Sequence, residues 1–299
     1  MTTAAPARVA APVGTVPSRP TARRTRVSLA PTLVLAVGAA YCLLPVAWVL
    51  VAATKSPAEL FSTFTLAPST SLWRNITGLS AYGHGVFWRW TVNTAIYAGV
   101  GALASSFVSG LSGYTLAKFR FPGRTAIFNV LLAGVLVPGI TLALPQYLLI
   151  AKLGLANTYL SVLLPSVLSP YGIYLARVYA GAAVSDTLIE AARTDGASEW
   201  RILAQVAFPI MRPGLVTIFL FQFVAIWNNF LLPFIMLTDD RKFPLTVGLY
   251  TMLNRGNTLP SLYTLTITGA LLSILPLIAL FLTLQRYWRL DLISGAVKN

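Results

Sequence analysis

Reactive side chains are scarce in this sequence. Its 299 residues include one cysteine, Cys42, one histidine, His84, and eight acidic residues. A single cysteine excludes an intrachain disulfide, and His84 has no acid beside it with which to form a metal or catalytic centre. The sequence also lacks the Gly-x-x-x-x-Gly-Lys-Ser/Thr loop that cradles phosphates. We therefore expect no catalytic residue, no metal, no cofactor and no ATP hydrolysis by this chain itself.

Apolar residues make up 56% of the chain and charged residues only 10%, with a mean hydropathy of +0.73. These values indicate a polytopic membrane protein. The net charge of +14 would suggest nucleic acid in a soluble chain. Here the basic residues flank apolar segments, which is typical of membrane orientation and of contact with anionic lipid headgroups. We expect membrane lipid, and no nucleic acid, among the partners.

The apolar segments predict an all-α integral membrane protein with six transmembrane helices. Residues 1–28 are Arg-rich without an acid and are expected to be a disordered tail. The 53–91 segment reads as an external loop whose Trp73, Trp88 and Trp90 fit a membrane-interface belt. Residues 92–285 read as the transmembrane core and 286–299 as a polar tail. The six spans are placed at 29–52, 92–117, 126–150, 159–180, 214–237 and 263–284, the third kinked by its prolines.

Lysine and arginine counts predict the orientation of the spans. With the N-terminus inside, the inner segments hold fifteen basic residues and the outer loops seven. The positive-inside rule then places both termini and the 181–213 loop in the cytoplasm. None of the eight acids falls within a predicted span, which argues against a proton- or sodium-driven carrier and against a membrane-embedded enzyme.

The 181–213 loop is the most distinctive polar stretch, because it holds half of the acids of the chain: Asp186, Glu190, Asp195 and Glu199. Ser185 or Thr187 can cap a first short helix, and Thr187 with Glu190 matches a capping box. Gly196 can adopt the positive φ that reverses the chain. Ser198 can start a second helix, and Pro209 is expected to end it. The predicted product is a helix-turn-helix projection outside the lipid. Its expected contact surfaces are Ala191, Ala192 and Ala197 as small ones, and Leu188, Ile189, Trp200, Ile202 and Leu203 as larger ones.

The same loop resembles the "EAA" signature of ABC importer permeases. Glu190-Ala191-Ala192 is followed at the family's spacing by Gly196 and then by Val206, Phe208 and Pro209. Val206 and Phe208 stand where the family usually has Ile and Leu. The resemblance implies that this loop couples the permease to a separate ATPase. The residues to which it assigns that role are Glu190, Ala191, Ala192, Asp195, Gly196, Ala197 and Pro209.

Further segments resemble carbohydrate-uptake permeases of the maltose-importer kind, over about residues 70–299. They begin at Trp90-Thr-Val-Asn93-Thr94, Gly113-Tyr-Thr-Leu-Ala-Lys118, Leu153-Gly154-Leu-Ala-Asn157, Trp227-Asn-Asn-Phe230 and Gln285-Arg-Tyr287. Asn229 departs from an acidic residue common in the family, and Asp291 and Ile293 from Gly and Thr. The resemblance implies a type I fold, with a five-helix core plus an N-terminal helix, in the bacterial inner membrane. It also implies an ATPase dimer, a second and different permease subunit, an extracytoplasmic solute-binding protein and a sugar substrate.

A sugar path needs polar groups without charge, because an ionised group at mid-bilayer costs about 2.5–3.5 kcal/mol. Candidates for the substrate path are Gln146 in the third span and Gln222, Trp227, Asn228 and Asn229 in the fifth. Each could instead hydrogen-bond between helices. A permease for an amino acid, peptide or other small solute is the alternative that the sequence leaves open, and a homodimer is not excluded.

Overall fold

The computed structural model describes residues 29–62 and 66–296, with side chains through Gln285. The predicted disordered tail and the side-chain contacts of the C-terminal tail lie outside this part. The helices are α1 Leu29–Ala53, α2 Pro57–Ser62, α3 Leu72–Ala81, α4 Val86–Lys118, α5 Arg124–Leu136, α6 Gly139–Lys152, α7 Tyr159–Val167, α8 Pro170–Ala183, α9 Asp186–Thr194, α10 Glu199–Ile202, α11 Phe208–Trp227, α12 Leu231–Met236, α13 Leu245–Arg255 and α14 Ser261–Ala296. The segment predicted as an external loop thus contains α2, α3 and the start of α4.

The described residues fall into two units, which divide between Val46 and Ala47. The described part of the first unit is the apolar stretch of α1 from Leu29 to Val46. At 25 residues and high hydropathy, α1 is long enough to cross a bilayer.

The second unit is built around α4, a helix of 33 residues that packs against α7, α8, α11 and α13. Small residues on α4 permit these close contacts. A Cβ added at Gly113 would lie 2.4 Å from the Cβ of Ala176 on α8, and one at Gly110 would lie 2.6 Å from Leu215 on α11. Backbone approach of this kind is how membrane helices associate without a hydrophobic driving force between them.

The two ends of α4 mark the two ends of the bundle. At the Lys118 end, the Lys118 ammonium lies 2.7 Å from Asp186 at the start of α9. At the opposite end, Asn93 of α4 donates a hydrogen bond to the carbonyl of Arg241. Asn157, in the turn between α6 and α7, donates its backbone N–H to the Met236 carbonyl at this same end, which is called the Asn157 end below. Apolar clusters fill the bundle near both ends.

The third predicted span is broken rather than merely kinked. The helix stops at Leu136 because Val137 takes the extended conformation that a following proline favours, and α5 and α6 meet at 107°. Arg124, which starts α5, bonds the carbonyls of Ala117 and Phe119 at the Lys118 end. The α6–α7 turn lies at the Asn157 end, so the bent pair passes once from one end of the bundle to the other. Counted as one span, it brings the apolar crossings among the described residues to six.

The fourth and fifth spans differ most from the prediction. The fourth is interrupted at Leu168 and Ser169, between α7 and α8. The fifth was predicted at 214–237, but the helical run begins at Glu199 and ends at Trp227. It starts earlier because α10 continues into α11, and it ends earlier because the chain leaves the helix at Asn228 before α12 begins.

Candidate coupling loop and translocation cavity

The 181–213 loop forms the predicted helix-turn-helix, α9 followed by α10. Gly196 turns the chain with φ +80°, the left-handed region that favours glycine. Ser198 caps α10, its hydroxyl accepting from the Arg201 N–H at 3.4 Å. Across the turn, the Arg193 guanidinium bonds both carboxylate oxygens of Glu199, at 2.7 and 3.3 Å. This pair closes the hairpin.

Two details of the predicted loop are wrong. Ser185 occupies the N-cap position of α9, but its hydroxyl pairs with Thr187 Oγ1 at 2.6 Å instead of capping a backbone N–H. The Thr187–Glu190 capping box therefore does not form. Pro209 does not end the second helix either. A π-helical turn at Leu203–Ala207 joins α10 to α11, and Pro209 lies at the beginning of α11 within one continuous helical run, so the helix passes through it.

One face of the loop is built into the bundle. Ile189, Ile202 and Leu203 are buried in an apolar cluster with Tyr114 of α4 and Ala176 of α8. These three side chains, predicted as contact surfaces for a partner, are therefore covered by the chain itself. Ala192 and Ala197 are half-buried against the same cluster. A displacement of the loop cannot occur without a displacement of the helices packed on it.

A charged contact supports the apolar one. The Lys118 side chain is 7% exposed, and its ammonium donates to Asp186. This hydrogen bond and the charge of Lys118 hold the pKa of Asp186 below its usual value. The basic 118–124 turn thereby ties the end of α4 to the start of α9.

The other face of the loop is exposed. It carries Glu190, Ala191, Asp195, Gly196 and Pro209, and also Leu188 and Trp200, which are 44% and 71% exposed. Among the described residues, neither the Glu190 nor the Asp195 carboxylate forms a hydrogen bond or an ion pair. The loop thus presents acids and a large aromatic side chain outward from a buried apolar base, an arrangement that suits reception in a groove of another protein.

A cavity of about 450 Å³ lies where three helix interruptions meet. Its lining includes Gly139 after the α5–α6 break, Leu168 to Pro170 at the α7–α8 break, and Asn229 between α11 and α12. Irregular backbone is tolerated at membrane depth where it is buried in protein or lines a cavity. At 1.5 Å per residue, Ser169 is about 15 Å along the span from Tyr159 at the Asn157 end, roughly half of a 30 Å hydrocarbon core.

The cavity brings together three of the five predicted path residues: Gln146, Gln222 and Asn229. The Gln222 amide donates to Ser169 Oγ, which also accepts from the Gly172 N–H at 3.0 Å. The Asn229 carbonyl accepts from Thr246 Oγ1 at 2.7 Å. Charged side chains are absent from this lining, so the polar groups that the cavity offers are neutral amides, hydroxyls and backbone.

The other two predicted path residues lie away from the cavity lining. Trp227 is 4% exposed and stacks on Phe223, with ring centroids 5.5 Å apart. Asn228 is exposed, and its amide donates to the Val224 carbonyl at 2.9 Å, which satisfies the end of α11 locally. Adjacent positions on a helix point about 100° apart, so one run of polar residues cannot face one cavity.

Comparison with known proteins identifies the family. Residues 106–289 match the model of the binding-protein-dependent transport system inner membrane component. The chain belongs to this family of ABC importer permeases. The predicted resemblance is thereby confirmed, and the permease is a multi-pass inner-membrane protein.

Curated relatives of the permease cover most of its length. It is 35% identical over 72% of its chain to the arabinooligosaccharides transport system permease protein AraQ of Halalkalibacterium halodurans, covering 76% of that protein. It is 32% identical over 86% of its chain to AraQ of Bacillus subtilis, covering 91%. It is 30% identical over 84% of its chain to the sn-glycerol-3-phosphate transport system permease protein UgpE of Escherichia coli, covering 91%.

A solved structure shares the fold of the permease. A chain of a bacterial ABC transporter involved in the import of the acidic polysaccharide alginate superposes with a TM-score of 0.75. It covers 86% of the permease and 95% of that chain, at 24% identity. The predicted all-α, type I permease architecture is confirmed.

Sequence reasoning missed one group of polar residues in the permease. Each of the four consecutive carbonyls from Asp240 to Phe243 accepts a hydrogen bond from a side chain of α4. The donors are Trp90 Nε1, Asn93 Nδ2, which serves two of the carbonyls, and the Tyr97 hydroxyl. Trp90 is only 3% exposed and binds protein backbone, so its predicted place in a membrane-interface belt is wrong. These donors are spaced three and four residues apart, which places them on one face of a helix, and this spacing could have revealed the group in the sequence.

Proposed function

We propose that this chain is the permease subunit of a binding-protein-dependent ABC importer for a neutral sugar or oligosaccharide. In this proposal, a dimer of separate ATPase subunits supplies the energy, and a second, different permease subunit completes the path. An extracytoplasmic solute-binding protein delivers the substrate. Both termini and the 181–213 loop lie in the cytoplasm, as the distribution of lysine and arginine predicts.

The observation that carries the coupling role is the two-sided construction of the loop. Its outer face carries Glu190, Ala191, Asp195 and Gly196 in the open, and its inner face is packed into the bundle beside α4 and α8. A groove of the ATPase that receives the outer face could move those helices through the inner one. Ala192 and Ala197 would then support the hairpin from beneath, with Pro209 at its junction with α11. Coupling of this kind acts only through contact energies that differ between two states.

The coupling proposal is tested on the reconstituted complex with Glu190→Lys. Among the described residues the Glu190 carboxylate forms no hydrogen bond or ion pair, and Glu190 is exposed, so the change should leave assembly of the bundle intact. We expect substrate-stimulated ATP hydrolysis and transport to fall together, because the acidic contact with the partner is inverted. Thr194→Ala, on the same helix, removes only a local bond to the Glu190 carbonyl and serves as the control. Unaltered stimulated hydrolysis in Glu190→Lys and in Gly196→Pro would remove the loop from the mechanism.

The chemistry of the cavity supports a neutral solute. Gln146, Gln222, Ser169 and Asn229 offer hydroxyl-binding groups without net charge. Amides and hydroxyls can pair with sugar hydroxyls, whereas a phosphorylated or acidic solute would leave its charge without a counter-ion in the cavity. The relatives named for arabinooligosaccharides point in the same direction.

The substrate proposal is tested by uptake of labelled neutral oligosaccharides and of glycerol phosphate through the assembled importer. We expect neutral sugars to be taken up, and Asn229→Ala to raise the concentration needed for half-maximal uptake of one sugar more than that of another. Asn228→Ala, next along the chain but away from the lining, is the matched control. Uptake of the phosphate ester or of an amino acid in preference to every sugar would replace the substrate class and leave the coupling role standing.

A further inference from the structure

The segment between α12 and α13 connects a helix that lines the cavity to the Asn157 end of the bundle. Leu231 and Leu232 of α12 line the cavity, and the chain then runs to the Asn157 end, where residues 237–244 lead into α13. Met236 and Leu237 are 1% and 3% exposed, so this end of α12 is fully seated.

Two separate sets of hydrogen bonds hold this segment. The first comes from α4, whose Trp90, Asn93 and Tyr97 bind the four carbonyls from Asp240 to Phe243. Thr94 adds a fifth contact by accepting from the Leu245 N–H at 2.7 Å. All of these bonds go to backbone atoms of the segment, so α4 fixes its path whatever side chains it carries.

The second set comes from Asn157 in the α6–α7 turn. Its backbone N–H donates to the Met236 carbonyl at 2.9 Å, and its side-chain Oδ1 accepts from the N–H groups of Thr238 and Asp239 at 3.1 and 3.0 Å. Asn157 adopts φ +57°, a conformation that asparagine tolerates better than most residues. The Asn157 side chain thus satisfies two backbone N–H groups just after the end of α12.

We propose that Asn157 is the positioning residue that holds α12 closed over the outer end of the translocation cavity, and that its side-chain contact is released when the cavity opens outward. This inference rests on the proposed function of the cavity. An opening between α12 and the α6–α7 turn must break the Asn157 bonds, whereas the α4 bonds can persist if the segment moves with α4. The Tyr159 hydroxyl, which donates to Asn93 Oδ1 at 2.8 Å, links the two sets in the closed state.

Two substitutions at Asn157 separate the loss of its side-chain acceptor from a change in its positive-φ backbone. Asn157→Gly keeps the backbone conformation and the N–H but removes the acceptor. Asn157→Asp keeps an oxygen acceptor at the same place. Tyr263→Phe, which removes the 2.7 Å bond to Asn257 near the start of α14, controls for loss of an unrelated hydrogen bond in an adjoining loop.

The readout is the accessibility of the cavity in the complete importer. In a Cys42→Ala background, Ala225→Cys places the only thiol of this chain on the cavity lining. A membrane-impermeant maleimide applied from outside reports outward opening, and ATP hydrolysis without substrate is measured in parallel. We expect Asn157→Gly to raise labelling of the resting complex about tenfold, equivalent to ~1.4 kcal/mol, because two hydrogen bonds of the closed state are lost. Hydrolysis without substrate should rise as well.

The outcomes separate the two proposals. Asn157→Asp and Tyr263→Phe should label within about twofold of the parent, which a general loosening of the fold would not produce. If Asn157→Gly labels at the parental rate while turnover still exposes the thiol, the role of Asn157 is wrong and the path stands. If the thiol stays unlabelled from outside in every state, including turnover, the cavity is not on the path and the inference falls with it.

Discussion

The contact between α4 and α8 provides the most quantitative test of the packing. Gly113 faces α8 so closely that an added Cβ would lie 2.4 Å from Ala176 Cβ and 2.6 Å from the Arg177 backbone nitrogen. Both are parts of a helix that cannot swing aside as the tip of a long side chain can. Real Cβ atoms do not approach other atoms below about 3 Å, so Gly113→Ala must push the two helices apart.

The magnitude follows from two opposing effects. Overpacking a close contact costs typically 1–3 kcal/mol, while Gly→Ala within a helix gains about 0.5–1 kcal/mol. We expect Gly113→Ala to destabilise the permease by about 1–2 kcal/mol. In Gly99→Ala, on the same helix, the added Cβ would meet nothing within 4 Å. This change should stabilise the permease by the gain in helix propensity alone. The two identical substitutions should therefore move stability in opposite directions.

Thermal inactivation of the purified complex in lipid nanodiscs, followed by size-exclusion chromatography after heating, measures the difference. A midpoint that falls for Gly113→Ala and stays level or rises for Gly99→Ala is the expected pattern. Equal midpoints for the two variants would refute the close approach of α4 and α8. Transport should also fall in Gly113→Ala if the proposed coupling holds, because Ala176 belongs to the apolar cluster beneath the 181–213 loop.

Three further predictions concern the loop. Asp186→Asn should impair coupling more than Lys118→Met. The change at Asp186 leaves the 7%-exposed Lys118 side chain without its partner, whereas the change at Lys118 leaves a 77%-exposed Asp186 carboxylate in water. The ratio of transport to ATP hydrolysis measures the impairment. The pKa of Asp186 is lowered in the folded state. The stabilisation that its ion pair with Lys118 gives to the loop should therefore be present above the unfolded pKa of about 3.9 and be lost as pH falls through the lower folded value. Proteolysis of the loop in acid measures this loss. Gly196→Ala should cost about 1–2 kcal/mol of hairpin stability through positive φ alone, since the added Cβ would meet nothing within 4 Å. Transport should slow without being abolished. A variant as active and as protease-resistant as the parent would contradict the argument that the turn is strained.

Local signals in the sequence predicted local structure well. The positive φ of Gly196 and the cap at Ser198 follow from residue type and position, and the structure has both. The prolines of the third span predicted a kink near Pro138, but they did not predict the 107° angle between α5 and α6. Proline removes a hydrogen bond from a helix without setting the direction that the chain takes next, which tertiary packing decides.

Contacts between distant segments were beyond sequence reasoning. Asn93 and Arg241 are 148 positions apart, and only the fold reveals that an amide on α4 binds that carbonyl. The receiving carbonyls are backbone groups present at every residue, so the segment from Asp240 to Phe243 carries no side-chain signal of its role. Trp227 and Asn228 show the converse error, because a polar run suggested a shared site where successive residues face different ways.

The proposed coupling requires that a push on the loop reach the cavity, and α11 offers a direct route. From Glu199 to Trp227 the chain is one helical run of 29 residues, about 43 Å at 1.5 Å per residue. Its first turns are α10 of the loop itself, with Ile202 and Leu203 in the apolar cluster, and Gln222 near its far end lines the cavity. A stiff helix transmits displacement along its axis, but the π-helical turn at Leu203–Ala207 is its widest and least regular part. We therefore expect displacement of the loop to bend the helical run at this turn as α11 moves, so that motion at the cavity is a rotation of the helix more than a translation.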